Sequence, residues 1–260
     1  MDILLPVGAV VALGMLIGGL YLDGGTIGQL VGLPAVLIVF GGCLGAMMIE
    51  YPLAKFVESL MMALKALMPA KNDPVDHIKK IVEFSNLVRK DGLLALEPKV
   101  KELKDPFFKR GLQLLVDGTD PKLLREILET DYAFHEEHTE ANKKFYESAG
   151  GYLPTFGIIG AVMGLMQAMG YLDDPEKLGH AIATAFIATI YGLVGANVFC
   201  FPINKKLKLY GMAHGISMQL IIEGILSMAD GVNPNIIQEK LEGFLDSAQK
   251  IALKKGTAKK

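Results

Sequence analysis

Charge is missing from four long stretches of this 260-residue chain: residues 3–22, 24–49, 148–172 and 178–204 contain no Asp, Glu, Lys or Arg. Each is long and apolar enough to cross a bilayer core of about 30 Å, which takes roughly 20 helical residues. Basic residues are also missing from two links. Residues 23–29 have none and residues 173–180 have only Lys177, whereas the other Lys and Arg fall within 51–147 or after Asn204. With four crossings those two basic regions share a side, and the excess of Lys and Arg makes it the cytoplasm. Both termini are expected there, and the outward loops are short.

Other absences narrow the function. A net charge of −2 lacks the basic surface that nucleic-acid binding requires, so nucleic acid is excluded as a partner. The two cysteines, Cys43 and Cys200, both lie inside apolar stretches and read as small buried hydrophobes, with neither a disulfide nor a metal site supported. There is no Gly-rich phosphate loop, no His-Glu-x-x-His, no Gly-x-Ser-x-Gly and no cysteine pair at zinc spacing, so no enzyme, cofactor or metal is expected. His135 and His138 stand one helical turn apart beside Glu136 and Glu137, and this charge pattern reads as a solvated helix face. Met1-Asp2 carries no basic leader, so residues 3–22 read as a retained helix.

What is present points to an all-α integral membrane protein: four transmembrane helices with an all-helical cytoplasmic domain. Residues 1–50 hold the first two transmembrane helices. Residues 51–147 form the cytoplasmic domain, opening with a membrane-surface helix. Residues 148–204 hold the third and fourth transmembrane helices, and 205–260 form a helical cytoplasmic tail. Within residues 52–68, Leu53, Phe56, Leu60, Leu64 and Leu67 recur at helical spacing among Lys55, Glu58 and Lys65, as expected of a helix lying on the bilayer. Asp73-Pro74, Asp105-Pro106 and Asp120-Pro121 each mark a helix start, with Asp capping and Pro at the first position. They predict helices over 75–90, 93–103, 107–116 and 122–147. The stretch 209–230 is apolar but carries His214 and Glu223 behind Lys205, Lys206 and Lys208, so it is expected as a cytoplasmic amphipathic helix. Asn233-Pro234 starts the final helix. Gly14, Gly18, Gly41, Gly42 and Gly45 mark close helix approach, within one chain or between copies.

The last two spans are the polar ones. The third holds Pro154, Thr155 and Gln167; the fourth holds Thr184, Thr189 and Asn197 and ends near Pro202. A threonine can return its hydroxyl to its own helix, and a proline frees a carbonyl. No carboxylate lies deep in any span. Pumps and transporters place their ion-carrying acids at that depth. If ions pass, a partner supplies the acid and this chain supplies walls.

The residues Ala185-Phe186-Ile187-Ala188-Thr189-Ile190-Tyr191-Gly192-Leu193-Val194, followed by Pro202, resemble the signature of the MotA family of flagellar stator proteins, within the MotA/TolQ/ExbB superfamily. Residues 154–164 resemble that family's third span, and Arg89-Lys90-Asp91-Gly92-Leu93-Leu94-Ala95-Leu96-Glu97 its cytoplasmic loop. The resemblance covers essentially the whole chain. It implies a multi-pass protein of the bacterial inner membrane, ringing a MotB-like single-span partner whose aspartate carries the ion. The ring is a pentamer in membrane lipid, and its torque falls on a FliG-like rotor switch protein. It further implies that Thr189, Thr155 and Ala161 line the ion pathway, that Pro154 and Pro202 serve conformational coupling, and that Arg89 and Glu97 meet the rotor. Sodium-driven relatives place a threonine where this chain has Ala161, so protons are expected. The alternative is the ExbB/TolQ type, which energises outer-membrane processes; four spans and the Arg89 to Glu97 loop favour the flagellar type.

Overall fold

The structure, a computed structural model, describes residues 3–66 and 73–257. Four helices are long and apolar enough to cross a membrane, and among the described residues there is no strand. This is an all-α membrane protein. The chain divides into two compact units, Met1–Pro69 with Thr139–Leu209, and Ala70–His138 with Tyr210–Lys260.

The first unit opens with α1, Leu4–Leu22, none of whose residues is buried. A 3₁₀ turn at Ile27–Leu30 is closed by a reciprocal cap between Thr26 and Gln29. The second apolar stretch becomes helical only after Gly32, with Pro34 in the first turn of α2, Leu33–Val36. A π-helical segment, Leu37–Gly41, then leads into α3, Gly42–Glu50. Ala35, Val39, Cys43 and Met47, four apart, form one buried stripe along this rod and pack with Phe145, Tyr146 and Leu153.

In α4, Leu53–Ala66, the expected apolar stripe divides. Phe56 packs edge-on against Phe145 at 5.3 Å, while Leu53 and Leu60 are exposed together with Val57 and Met61. Leu67, Met68 and the start of the following link lie outside the described residues. The inner face is held instead by polar groups. Ser59 donates to Asn142 Oδ1 at 2.9 Å, Asn142 donates to Glu58 at 3.0 Å, and the Tyr146 hydroxyl donates to the Ser59 carbonyl at 2.6 Å. A buried Ser and Asn are tolerated because each finds a partner.

The second unit is built by capped helices. Asp73 accepts from Val75 and Asp76 at the start of α5, Pro74–Asp91. A 3₁₀ turn, Leu93–Leu96, and a short α6, Glu97–Glu102, replace the single helix expected over 93–103. The cause is Gly92, whose φ of 81° ends α5 in a conformation open to glycine, and Pro98, which restarts a helix. Asp105 caps α7, Pro106–Val116, and Asp120 caps α8, Pro121–Met169. α8 runs unbroken through Gly150, Gly151 and Pro154, so the last helix of the charged domain and the third span are one element. Asp174 opens α9, Pro175–Val194, by the same Asp-Pro device. A second π-helical segment, Gly195–Cys200, joins it to α10, Phe201–Ala229. The expected final helix is two: α11, Pro234–Leu241, and α12, Ser247–Thr257, separated where Asp246 and Gln249 cap one another. The core of this unit joins Ile78, Ile81 and Phe84 to Leu112, Leu128, Ile221 and Ile225.

Candidate functional site

Of the five glycines expected to mark close helix approach in the first two spans, only Gly42 does so, since a Cβ there would run into the ring of Phe156 on α8. Gly14, Gly18, Gly41 and Gly45 have nothing within 4 Å of where a Cβ would stand. The tight backbone contact lies between α8 and α9. A Cβ on Gly157 would lie 3.0 Å from the Ala188 carbonyl oxygen and 3.4 Å from Thr189 Cα; one on Gly160 would lie 2.7 Å from Ala188 Cβ, and one on Gly164 2.8 Å from Ala185 Cβ. From the α9 side, a Cβ on Gly192 would lie 2.5 Å from the Leu153 carbonyl oxygen and 3.1 Å from Pro154 Cα. Small residues at spacings of three and four let two backbones meet where apolar burial offers no drive within lipid.

This contact brings two of the expected site residues together, and a third lies one helical turn along. Pro154 faces Gly192, Thr189 backs onto Gly157, and Ala161 lies one turn beyond Gly157 on the same side of α8. Thr189 is half-buried, and its hydroxyl donates to Ala185 at 3.4 Å, at the outer limit of a hydrogen bond. Thr155 is exposed and donates to Tyr152 at 2.7 Å. Thr184 and Asn197 likewise return to their own helix, at 3.0 Å to His180 and 2.9 Å to Leu193. Local satisfaction removes the cost of placing these groups among apolar neighbours, and leaves hydroxyl lone pairs as acceptors.

The other expected residues lie elsewhere. Pro202 is exposed in the first turn of α10, directly after the π-helical segment. A wider turn absorbs the amide that proline lacks. Arg89 and Glu97 belong to the second unit and flank the Gly92 turn, both exposed. Glu97 pairs with Lys101 at 3.4 Å, whereas among the described residues Arg89 makes no ion pair. Leu93 and Leu96 turn inward between them and Leu94 is exposed.

Two features had gone unread in the sequence. The Tyr191 hydroxyl donates to Leu30 at 2.5 Å and accepts from the Gly32 amide at 3.3 Å, tying α9 to the break before α2. A lone tyrosine in an apolar run gives no signal of such a distant partner. His135 is not simply solvated: its ring meets that of His214 at 4.4 Å, edge to face.

The α8–α9 contact thus carries Thr189 and no carboxylate, as expected of a wall component in an ion-conducting membrane assembly. Comparison with known proteins agrees. The profile of the MotA/TolQ/ExbB proton channel family matches residues 99–219, and that of the Motility protein A N-terminal region matches residues 6–92. Chemotaxis protein PomA of Vibrio alginolyticus is 34% identical over 227 residues, 87% of this chain and 89% of that one. Motility protein A of Cereibacter sphaeroides is 34% identical over 258 residues, 98% and 99% of the two chains. A chain of the Campylobacter jejuni MotAB structure superposes with a TM-score of 0.90 at 31% identity, covering 95% of this chain and 97% of that one. The chain belongs to the MotA/TolQ/ExbB proton channel family, as a flagellar stator subunit of the motility protein A type.

Proposed function

We propose that this chain forms the ring of a proton-driven flagellar stator in the bacterial inner membrane. The α8–α9 contact lines the path, and a MotB-like single-span partner supplies the ion-carrying aspartate. Five copies surround a dimer of that partner, and both termini lie in the cytoplasm. The observation that carries this reading is the Gly157–Thr189 contact in a chain with no carboxylate inside its spans. Thr189 offers an oxygen to a passing proton or its water, and the acid that must titrate comes from outside the chain. Ala161, one turn away, offers no second oxygen. Removing an oxygen ligand disfavours a partly dehydrated sodium ion more than a proton relayed through water.

Pro154 and Gly192 place two backbones in contact where one helix lacks an amide donor, and Pro202 follows a π-helical turn. Both points bend without breaking a full hydrogen-bond ladder, which suits them to carry a shape change from the ion path to the charged unit. There, Arg89 and Glu97 offer opposite charges beside an exposed turn, a surface for rapid, reversible contact with a FliG-like rotor protein. Ile158, Val162, Phe186 and Leu193 are exposed in the single chain and are available for contact between copies or with the partner.

The test is complementation. A strain lacking the gene, with no second stator, is grown in sodium-poor medium and given the wild-type or the Thr189→Ala copy. Flagellated cells that swim only with the wild-type copy support a proton-driven stator. Swimming that requires added sodium overturns the choice of ion, and swimming without either copy overturns the stator role.

A further inference from the structure

α1 stands apart from the rest of the first unit: none of its residues is buried, and it packs against the π-helical segment Gly195–Cys200. Between the two runs a slot of about 490 Å³, bounded by Leu4, Gly8 and Ala12 on one side and Phe199, Pro202 and Lys206 on the other. This is within the roughly 300–1,000 Å³ typical of small-molecule sites. Small residues on a membrane helix ordinarily admit a neighbouring helix. Here they do not, because a Cβ on Gly8 would meet nothing within 4 Å. Asn197, the other polar lining residue, turns its amide back to Leu193.

We propose that this slot binds an anionic phospholipid, with one acyl chain between α1 and the Phe199–Pro202 segment and the headgroup at Lys206. The chemistry follows from the slot's two ends. Its interior is apolar and lies within charge-free stretches, so in a bilayer an acyl chain fills it. Its mouth, beside Leu4, is lined by Lys206, with Lys205 and Lys208 adjacent in sequence. An ammonium on a long stem lies along apolar surface and presents its charge at headgroup level. Of these three lysines, Lys206 is the one that lines the slot. A single apolar chain beneath one negative head matches this arrangement. The leaflet, cytoplasmic, rests on the orientation proposed above; the headgroup charge does not.

The experiment is native mass spectrometry of the whole complex, purified with its partner subunit in mild detergent and titrated with phosphatidylglycerol or phosphatidylcholine. The wild type is expected to retain phosphatidylglycerol in preference. Lys206→Gln is expected to lower phosphatidylglycerol retention about fivefold, the worth of one lysine near an anionic surface, without changing phosphatidylcholine retention. Gly8→Phe, which enters open space, is expected to reduce both lipids. Lys208→Gln is expected to match the wild type. Equal retention of the two lipids by the wild type overturns the proposal, as does undiminished phosphatidylglycerol retention by Lys206→Gln. A disulfide between two copies of Gly8→Cys in membranes also overturns it, by showing a second chain in the slot. If Gly8→Phe does not assemble, Lys206→Gln decides alone. If no partner subunit copurifies, the stator reading fails while the lipid titration still runs on the chain itself.

Discussion

Gly192 of α9 meets Pro154 of α8 backbone to backbone: a Cβ at position 192 would stand 3.1 Å from Pro154 Cα and 2.5 Å from the carbonyl oxygen of Leu153. Neither neighbour is the flexible end of a side chain, so no rotamer change relieves the overlap.

Gly192→Ala is therefore expected to push the two helices apart, at a cost of about 1–3 kcal/mol for overpacking. Thermal unfolding of the purified complex and swimming speed should fall together. Gly179→Ala, at a position with nothing within 4 Å, should leave both unchanged.

Thr189→Ala should separate function from folding. Its hydroxyl bond to the Ala185 carbonyl, at 3.4 Å, is long, so removal is expected to cost about 1 kcal/mol or less. Assembly should persist while swimming stops. Thr189→Ser, which keeps the oxygen, should restore part of the motility; equal loss in both variants would remove the hydroxyl from the pathway.

Arg89→Glu and Glu97→Lys are expected to reduce torque with melting points nearly unchanged, since exposed charges of this kind contribute within about 0.5 kcal/mol. The Glu97–Lys101 pair is too exposed to alter that expectation. The readout is tethered-cell rotation alongside unfolding of the purified chain. A charge-reversed rotor protein should rescue Arg89→Glu.

Tyr191→Phe removes the clamp on the α1–α2 link and leaves the Leu30 carbonyl and Gly32 amide without that partner. A loss of about 1–3 kcal/mol is expected, visible as a lower melting point and as faster proteolysis near residues 23–31.

In the second unit His77 is buried, 3.6 Å from Asp105. Burial lowers its pKa below the ordinary 6.5, against the opposing pull of Asp105 and of Asp76. A lowered histidine pKa means the unfolded chain takes up the proton first. Stability from this site is therefore present above 6.5 and declines as pH falls from there through the folded pKa. Melting curves of the full chain should show this decline on acidification. His77→Gln should flatten it.

Much of the fold is legible in the sequence because its signals are local. Asp73, Asp105 and Asp120 each cap a helix within three residues, and charge-free stretches report their own length. The boundaries that escaped depend on conformations with weak local marks. Gly92 stops α5 through its positive φ, and the Asp246–Gln249 cap divides what periodicity reads as one final helix. The fate of α4 escaped for another reason. Phe56 is drawn inward by Phe145, while Leu53 and Leu60 stay exposed. Which side of a stripe is covered depends on a helix more than eighty residues away in sequence.

The sequence by itself determined that this is a four-span helical membrane protein with no ion-carrying acid inside its spans, because hydropathy and capping act over one or two helical turns. Only the tertiary structure decided which glycines bring helices together, that Thr189 and Pro154 belong to one contact, and that a slot lies between α1 and the π-helical segment. Those relations depend on backbone approach between residues far apart in the chain. A glycine facing a neighbour and a glycine facing open space read the same in sequence.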